Sequence, residues 1–172
     1  MQRADGVMRA TRTKRRCAVI GAGVLVGALA ACASPAPSVS SDEALDTYAS
    51  VLDDIESALV EEYPTVAWAS DGDTSVQRSD DDDPCTVFFP TIETRTSLWA
   101  AAGGDWDEIA AVIDPVLADY GFPGITADED VAGGWLVYRA QDDDGAMLRI
   151  DDKDSSSISL SIDVTDADCP TP

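Results

Sequence analysis

Two stretches of the chain repeat hydrophobic residues with the period of an α-helix. In the first, apolar residues recur at spacings of three and four, which places one apolar stripe on a helix. The segment Ser40-Ser41-Asp42-Glu43 has the Ser-x-x-Glu form of a capping box and predicts the helix start. Pro64 disfavours helical backbone at Tyr63 and predicts the end. The stripe consists of Leu45, Tyr48, Leu52, Ile55 and Leu59.

The second helical pattern follows Asp105, an N-cap residue type with an acidic first turn after it. Gly121 is expected to close this helix in the left-handed conformation, with Phe122 folding back over its end. Pro115 lies inside the pattern, so we predict a kink, or a restart with Asp114 as a new N-cap. The apolar face consists of Trp106, Ile109, Val112, Ile113, Val116, Leu117 and Tyr120.

Other segments alternate between apolar and polar residues, which is the period of a β-strand. Ile158, Leu160, Ile162 and Val164 alternate with serines and an aspartate. Asp142-Asp143-Asp144-Gly145 predicts a hairpin turn. Because helices and strands do not alternate regularly, the expected class is α+β, an antiparallel meander sheet packed by two amphipathic helices. The other predicted strands are 65–69, 85–89, 91–99, 125–131, 135–140 and 146–150.

The N-terminal residues follow a different pattern. A basic segment precedes an apolar run from Cys17 to Leu29, which is shorter than the roughly 20 residues of a membrane-spanning helix and predicts a cleaved signal. Leu29-Ala30-Ala31-Cys32 has the form of a lipobox, in which Cys32 receives a lipid and the leader is cut before it. An ordinary secretory signal with a chance cysteine is the alternative. Arg15-Arg16 leaves twin-arginine export open.

This leader predicts the organisation of the whole chain. Residues 1–31 are the expected signal peptide, and 32–40 are the lipidated cysteine and a Ser/Pro-rich linker. Residues 41–172 are expected to form a single acidic domain. The protein would then be anchored by its lipid to the cell membrane, on the extracytoplasmic face.

The predicted mature chain is strongly acidic. Without the leader it keeps 5 Lys/Arg against 32 Asp/Glu, a formal charge of −27. Such a surface repels nucleic acid and anionic lipid head groups, so neither is expected as a partner.

Two cysteines remain in the predicted mature domain, Cys85 and Cys169. An even pair in an oxidising compartment predicts a disulfide. The alternative is a free nucleophilic thiol, but the chain contains no histidine to activate it.

Several of these motifs together resemble the LppA-like lipoproteins of actinobacteria. They are the lipobox, Cys85, the Trp-led helix ending at Gly121-Phe122, the Gly133-Gly134-Trp135 turn, and a Ser-rich last strand near Cys169. The resemblance covers nearly the whole chain. It implies membrane anchoring, and it implies no established activity or catalytic residues.

The chain offers no sequence signature of an enzyme. The absence of histidine excludes Ser-His-Asp and Cys-His catalysis and histidine-ligated metal sites, and no cofactor is expected. Acidic turns could bind Ca²⁺ weakly through Asp71, Asp73, Asp142 and Asp144, although none has EF-hand spacing. Four large aromatic residues could belong to the core or line a ligand cleft. They are Trp68, Trp99, Trp106 and Trp135.

Two functions remain open from the sequence. The first is a non-enzymatic interaction or scaffold domain at the cell envelope, whose partner would be a cell-envelope protein. The second is a lipoprotein that binds a small ligand or a divalent cation.

Overall fold

A computed structural model describes residues 37–78, 80, 83–128 and 133–169. The leader, Cys32 and most of the linker lie outside the described residues, as does part of the predicted strand at 125–131. The described residues belong to one compact unit, 34–172. Its helices are α1 (Ser41–Tyr48), α2 (Val51–Glu62), α3 (Leu98–Ala101) and α4 (Trp106–Asp119). Its strands are β1 (Trp68–Asp71), β2 (Ser75–Gln77), β3 (Cys85–Phe88), β4 (Thr91–Thr94), β5 (Thr126–Ala127), β6 (Leu136–Gln141), β7 (Met147–Asp152) and β8 (Ser156–Val164).

The eight strands form one antiparallel sheet in the order β1-β4-β8-β7-β6-β5, and β3 joins β2 to β8. β8 is nine residues long, so two short strands pair along the same edge of it. Ile158 pairs with Ile92 of β4, and Ile162 pairs with Val87 of β3. The predicted α+β class is therefore confirmed, and the meander accounts for β5 to β8.

The helices cover one face of this sheet. Ile158, Leu160, Ile162 and Val164 are buried and belong to the same apolar cluster as the inward residues of α1, α2 and α4. The serines that alternate with them are partly exposed, because successive side chains of a strand point to opposite faces. We call the side that carries these serines the open face.

The prediction of one long N-terminal helix was wrong. The turn residues Ala49 and Ser50 separate α1 from α2. α1 packs against β3 and β8, whereas α2 packs mainly against α4. The two helices are separate because they pack against different elements. The predicted cap is confirmed, since the Ser40 side chain accepts a hydrogen bond from the Glu43 N–H.

The restart predicted at Asp114 was also wrong. α4 continues through Pro115 to Asp119, and the Asp114 carboxylate accepts a hydrogen bond from the Ile125 N–H at 2.9 Å instead. The predicted C-terminus is confirmed, because Gly121 has φ +82° and the Phe122 N–H donates to the Leu117 carbonyl at 3.0 Å.

The extended segment predicted over 91–99 ends early, because Leu98 and Trp99 begin the short helix α3. The Ser97 side chain caps it by accepting a hydrogen bond from the Ala100 N–H at 3.0 Å. The apolar alternation of the preceding strand continues to Leu98, so the start of α3 was not predicted from the sequence. The short strand β2 was not predicted either.

The predicted disulfide joins Cys85 to Cys169, whose Cα atoms are 5.4 Å apart. It ties β3 to the chain beyond β8. None of the helices in the described ranges is both long enough and apolar enough to cross a bilayer.

Tyr48 connects the helical layer to the β6–β7 turn and makes stability depend on pH. Burial raises its pKa above the ordinary value of 10.0, as do its hydrogen bond to Asp142 and the charge of that carboxylate. The unfolded state therefore loses this proton first, so stability is expected to fall as pH rises above about 10. Urea unfolding should show a smaller fall in Tyr48→Phe than in the wild type.

Tyr63→Phe is the comparison for this prediction. Burial also raises the pKa of Tyr63, but its hydroxyl has no hydrogen bond to a described carboxylate. Its substitution should change the pH dependence less. An equal effect of the two variants would contradict a special role for the contact between Tyr48 and Asp142.

Candidate ligand-binding groove on the open face

The open face is polar and consists of cross-strand rows. One row crosses five strands through Ala69, Glu93, Ser157, Asp151 and Val137. Only the two ends of this row are apolar. Serine and threonine hydroxyls, charged side chains and a few isolated apolar groups therefore lie side by side along the sheet.

A groove of about 860 Å³ lies at one end of this face. Edge strand β1, the end of β4, the start of β8 and Trp135 line it. This volume lies within the range of small-molecule sites, about 300 to 1,000 Å³. A second, smaller depression of about 170 Å³ lies near Gln141 and Met147, below that range.

The four tryptophans divide between the groove and the helical layer. Trp68 and Trp135 both line the groove, but Trp68 pairs with the buried Thr94 and packs against the core with its indole nitrogen buried. Trp135 is 43% exposed. Trp106 packs on Tyr138, with ring centroids 3.9 Å apart. Trp99 is 39% exposed but lies on α3 beside Gly104, away from the groove.

The basic residues of this acidic domain collect on the same side. Five Lys or Arg residues occur in the described ranges, and four of them lie on the open face or beside the groove. Arg95 lines the groove, and Lys153 lies 5.7 Å from the centre of the Trp135 ring. Arg139 and Arg149 are directly paired neighbours on β6 and β7.

Two of these cations are neutralised by neighbouring carboxylates. Arg139 forms an ion pair with Asp128 at 2.9 Å. Arg149 donates two hydrogen bonds to Asp151, each 2.6 Å, and these raise the pKa of the guanidinium above its ordinary value. Arg95 and Glu93, by contrast, form no ion pair with any described residue, so both remain available to a ligand.

A buried polar network supports the groove from the helical side. Ser156, which also lines the groove, is 2% exposed. Its hydroxyl accepts a hydrogen bond from the Leu98 N–H at 2.7 Å and donates one to Asp152. Because these contacts fix β8 against α3, the groove is built on a preorganised part of the sheet.

The predicted calcium ligands do not converge. Among the residues that the structure describes, no three acidic or cysteine side chains form a metal-binding group. Asp71 lines the groove and Asp73 follows it in an exposed turn. Asp142 accepts hydrogen bonds from the N–H groups of Asp144 and Ala146. Its oxygens therefore stabilise the hairpin turn.

Sequence analysis missed Glu93, Arg95, Ser155 and Ser157 as groove residues. The alternation in β8 does predict that its serines share one face, and this signal could have identified Ser157. The other three required the pairing of β4 with β8, which brings Glu93 opposite Ser157. The predicted site at Cys32 lies outside the described residues.

The comparisons with known proteins give little guidance. No protein-family model matches the sequence, and no curated protein matches it. The chain is similar to the crystal structure of a DUF4853 family protein from Actinomyces odontolyticus, with a TM-score of 0.48 and 12% sequence identity. The match covers 78% of this chain and 73% of that chain.

Proposed function

We propose that this protein is a non-enzymatic binding domain, anchored by a lipid on Cys32 to the extracytoplasmic face of a bacterial cell membrane. One observation carries the binding role. The helices cover a single face of the sheet, and at the end of the other face lies a groove whose lining includes Trp135, which is 43% exposed. An exposed tryptophan beside unpaired polar groups is typical of a recognition surface.

A non-enzymatic role is supported by the chemistry of the groove. The chain has no histidine, and the hydroxyl of Ser156 is buried and donates to Asp152. A serine nucleophile needs a neighbouring base and an open approach to its oxygen. Ser156 has neither a basic nitrogen partner nor exposure to a substrate.

Membrane anchoring is supported by the lipobox and by the linker that follows it. We expect Cys32→Ala to release the protein from the membrane fraction of an expressing bacterium. The variant loses the acyl chains, and each buried methylene of such a chain contributes about 0.8 kcal/mol to membrane binding. Immunoblotting of membrane, soluble and medium fractions measures this, and metabolic labelling with a fatty acid measures the modification itself.

Cys17→Ala is the matched control, since it removes the other cysteine of the N-terminal segment. It should leave both membrane fractionation and fatty-acid labelling unchanged. If Cys32→Ala protein were still labelled and fully membrane-associated, the proposed anchor would be wrong. If Cys17→Ala alone abolished labelling, the modified cysteine would be misassigned.

A further inference from the structure

The residues of the groove indicate the chemical class of its ligand. Resting on the proposed binding role, we infer that the groove binds a neutral, polyhydroxylated chain, which at this location is a glycan of the cell envelope. The groove combines the exposed indole of Trp135, several hydroxyls, the cation Arg95 and the two carboxylates Glu93 and Asp71. Each of these groups matches a part of a sugar ring.

The exposed indole of Trp135 supplies the apolar part of the recognition. One face of a pyranose ring exposes C–H groups, and a tryptophan ring buries such a face with a large contact area. The ammonium group of Lys153 lies 5.7 Å from the centre of the Trp135 ring, and a cation in this position is attracted by the face of an indole. This contact favours one orientation of the exposed ring before a ligand arrives, which lowers the entropic cost of binding.

The polar residues supply donors and acceptors for hydroxyl groups. Ser155 and Ser157 lie beside Glu93 in the groove. A guanidinium donates several hydrogen bonds in one plane and a carboxylate accepts several, so Arg95 and Glu93 can pair with neighbouring hydroxyls of a ligand. A purely apolar ligand would desolvate these groups without satisfying them, which opposes its binding.

The charge of the domain favours a neutral ligand over an anionic one. The groove is lined by one cation, Arg95, and two carboxylates, Glu93 and Asp71, while the predicted mature chain carries a formal charge of −27. The field of the whole domain therefore repels polyanions. A cation is disfavoured at the groove itself, because no three acidic or cysteine side chains of the described residues converge.

The groove is also open along edge strand β1, which pairs only with β4. Three of its four residues are exposed, so a chain longer than the groove can extend past Ala69 without a clash at that end. An extended peptide is the competing occupant of a sheet edge. It would pair with the backbone of β1 and would not require the ring of Trp135.

The test uses the full-length chain expressed in a bacterium and purified in detergent micelles, whether or not Cys32 carries a lipid. Hexamers of N-acetylglucosamine and of glucose are the neutral probes, and a galacturonic acid hexamer is the anionic probe. Tryptophan fluorescence and calorimetry measure binding. We expect at least one neutral hexamer to bind with a Kd of about 1 mM or tighter, and the anionic hexamer to bind at least about tenfold more weakly, since the domain repels it.

Trp135→Ala is expected to weaken the binding of that neutral hexamer at least about tenfold, because the stacking surface is lost. Trp99→Ala is the matched control, since Trp99 is 39% exposed but lies outside the groove. The Trp99→Ala protein should bind the neutral hexamer with the affinity of the wild type.

Arg95→Ala provides a second variant. Because Arg95 has no described ion partner, its removal should leave the melting temperature unchanged. It should also weaken binding, whereas Arg149→Ala should not.

Three results would overturn the inference. The first is that no neutral hexamer binds, and the second is that Trp135→Ala and Arg95→Ala both bind as the wild type does. The third is that an extended peptide alone protects the β1 amides from hydrogen exchange. None of these binding results depends on how the Cys32→Ala protein fractionates. A failure of the glycan inference can therefore be told apart from a failure of the proposed membrane anchor.

Discussion

Replacing Cys85 and Cys169 together by alanine is expected to lower the free energy of unfolding by about 4 kcal/mol. The disulfide spans 84 residues, and in the chain-entropy model such a cross-link removes many conformations of the unfolded chain. A natural domain is stable by only about 5 to 15 kcal/mol. The variant should therefore be marginally stable, and urea unfolding monitored by tryptophan fluorescence measures the loss.

Reduction of the wild type provides the control for this prediction. Unfolding in the presence of dithiothreitol should show the same loss as the double variant, except for a small additional cost in the variant, because Cys85 is fully buried and alanine removes its sulfur. A change below about 1 kcal/mol in both experiments would mean that the unfolded state is already restricted without the bond.

Asp152→Ala has the second largest expected effect, a loss of roughly 3 kcal/mol. The Asp152 carboxylate is 0% exposed. It accepts hydrogen bonds from the Ser97 hydroxyl at 2.7 Å and the Trp99 N–H at 3.1 Å, and also from the Ser156 hydroxyl. The variant removes the acceptor of the partly buried Trp99 N–H and of the Ser97 hydroxyl, at the point where α3 joins the sheet. The Ser156 hydroxyl keeps only a longer contact of 3.3 Å with the Thr96 carbonyl. Thermal and urea unfolding measure the loss.

Asp151→Ala is the neighbouring control, because the two aspartates point to opposite faces of β7. Asp151 lies on the open face and pairs with Arg149, and an ion pair of this exposure contributes at most about 1 kcal/mol. Asp152→Asn should lie between the two, since the amide keeps one acceptor. Equal losses in Asp151→Ala and Asp152→Ala would contradict the bridging role of Asp152.

Local patterns predicted much of the secondary structure correctly. The capping box at Ser40, the closing Gly121 and the alternation in β8 each depend on contacts within a few residues, which the sequence displays directly. The errors occurred where tertiary contacts override such patterns. Leu98 and Trp99 continue an apolar alternation, yet they form a helix because Ser97 caps it and Asp152, distant in sequence, accepts the Trp99 N–H.

The candidate groove was only partly predictable. Trp68 and Trp135 were recognised as cleft candidates, together with Trp99 and Trp106, because all four are large aromatic residues in a small domain and three of them lie at the ends of predicted elements. The sequence positions of the tryptophans do not show which rings pack on the core and which are exposed at a groove. The answer depends on which elements are adjacent in the fold. Here it is set by the register of β4 on β8 and by the β7–β8 turn.

The sequence by itself determined the α+β class and the disulfide partners. Periodicity is a local property, and only two cysteines remained to pair in the domain predicted after the lipobox. The tertiary structure alone decided that β8 pairs with both β3 and β4 and that four of the five described basic residues lie on the open face or beside the groove. Strand pairing depends on non-local contacts, whose energies are comparable for many registers until the whole core packs. The groove exists only once that packing is complete.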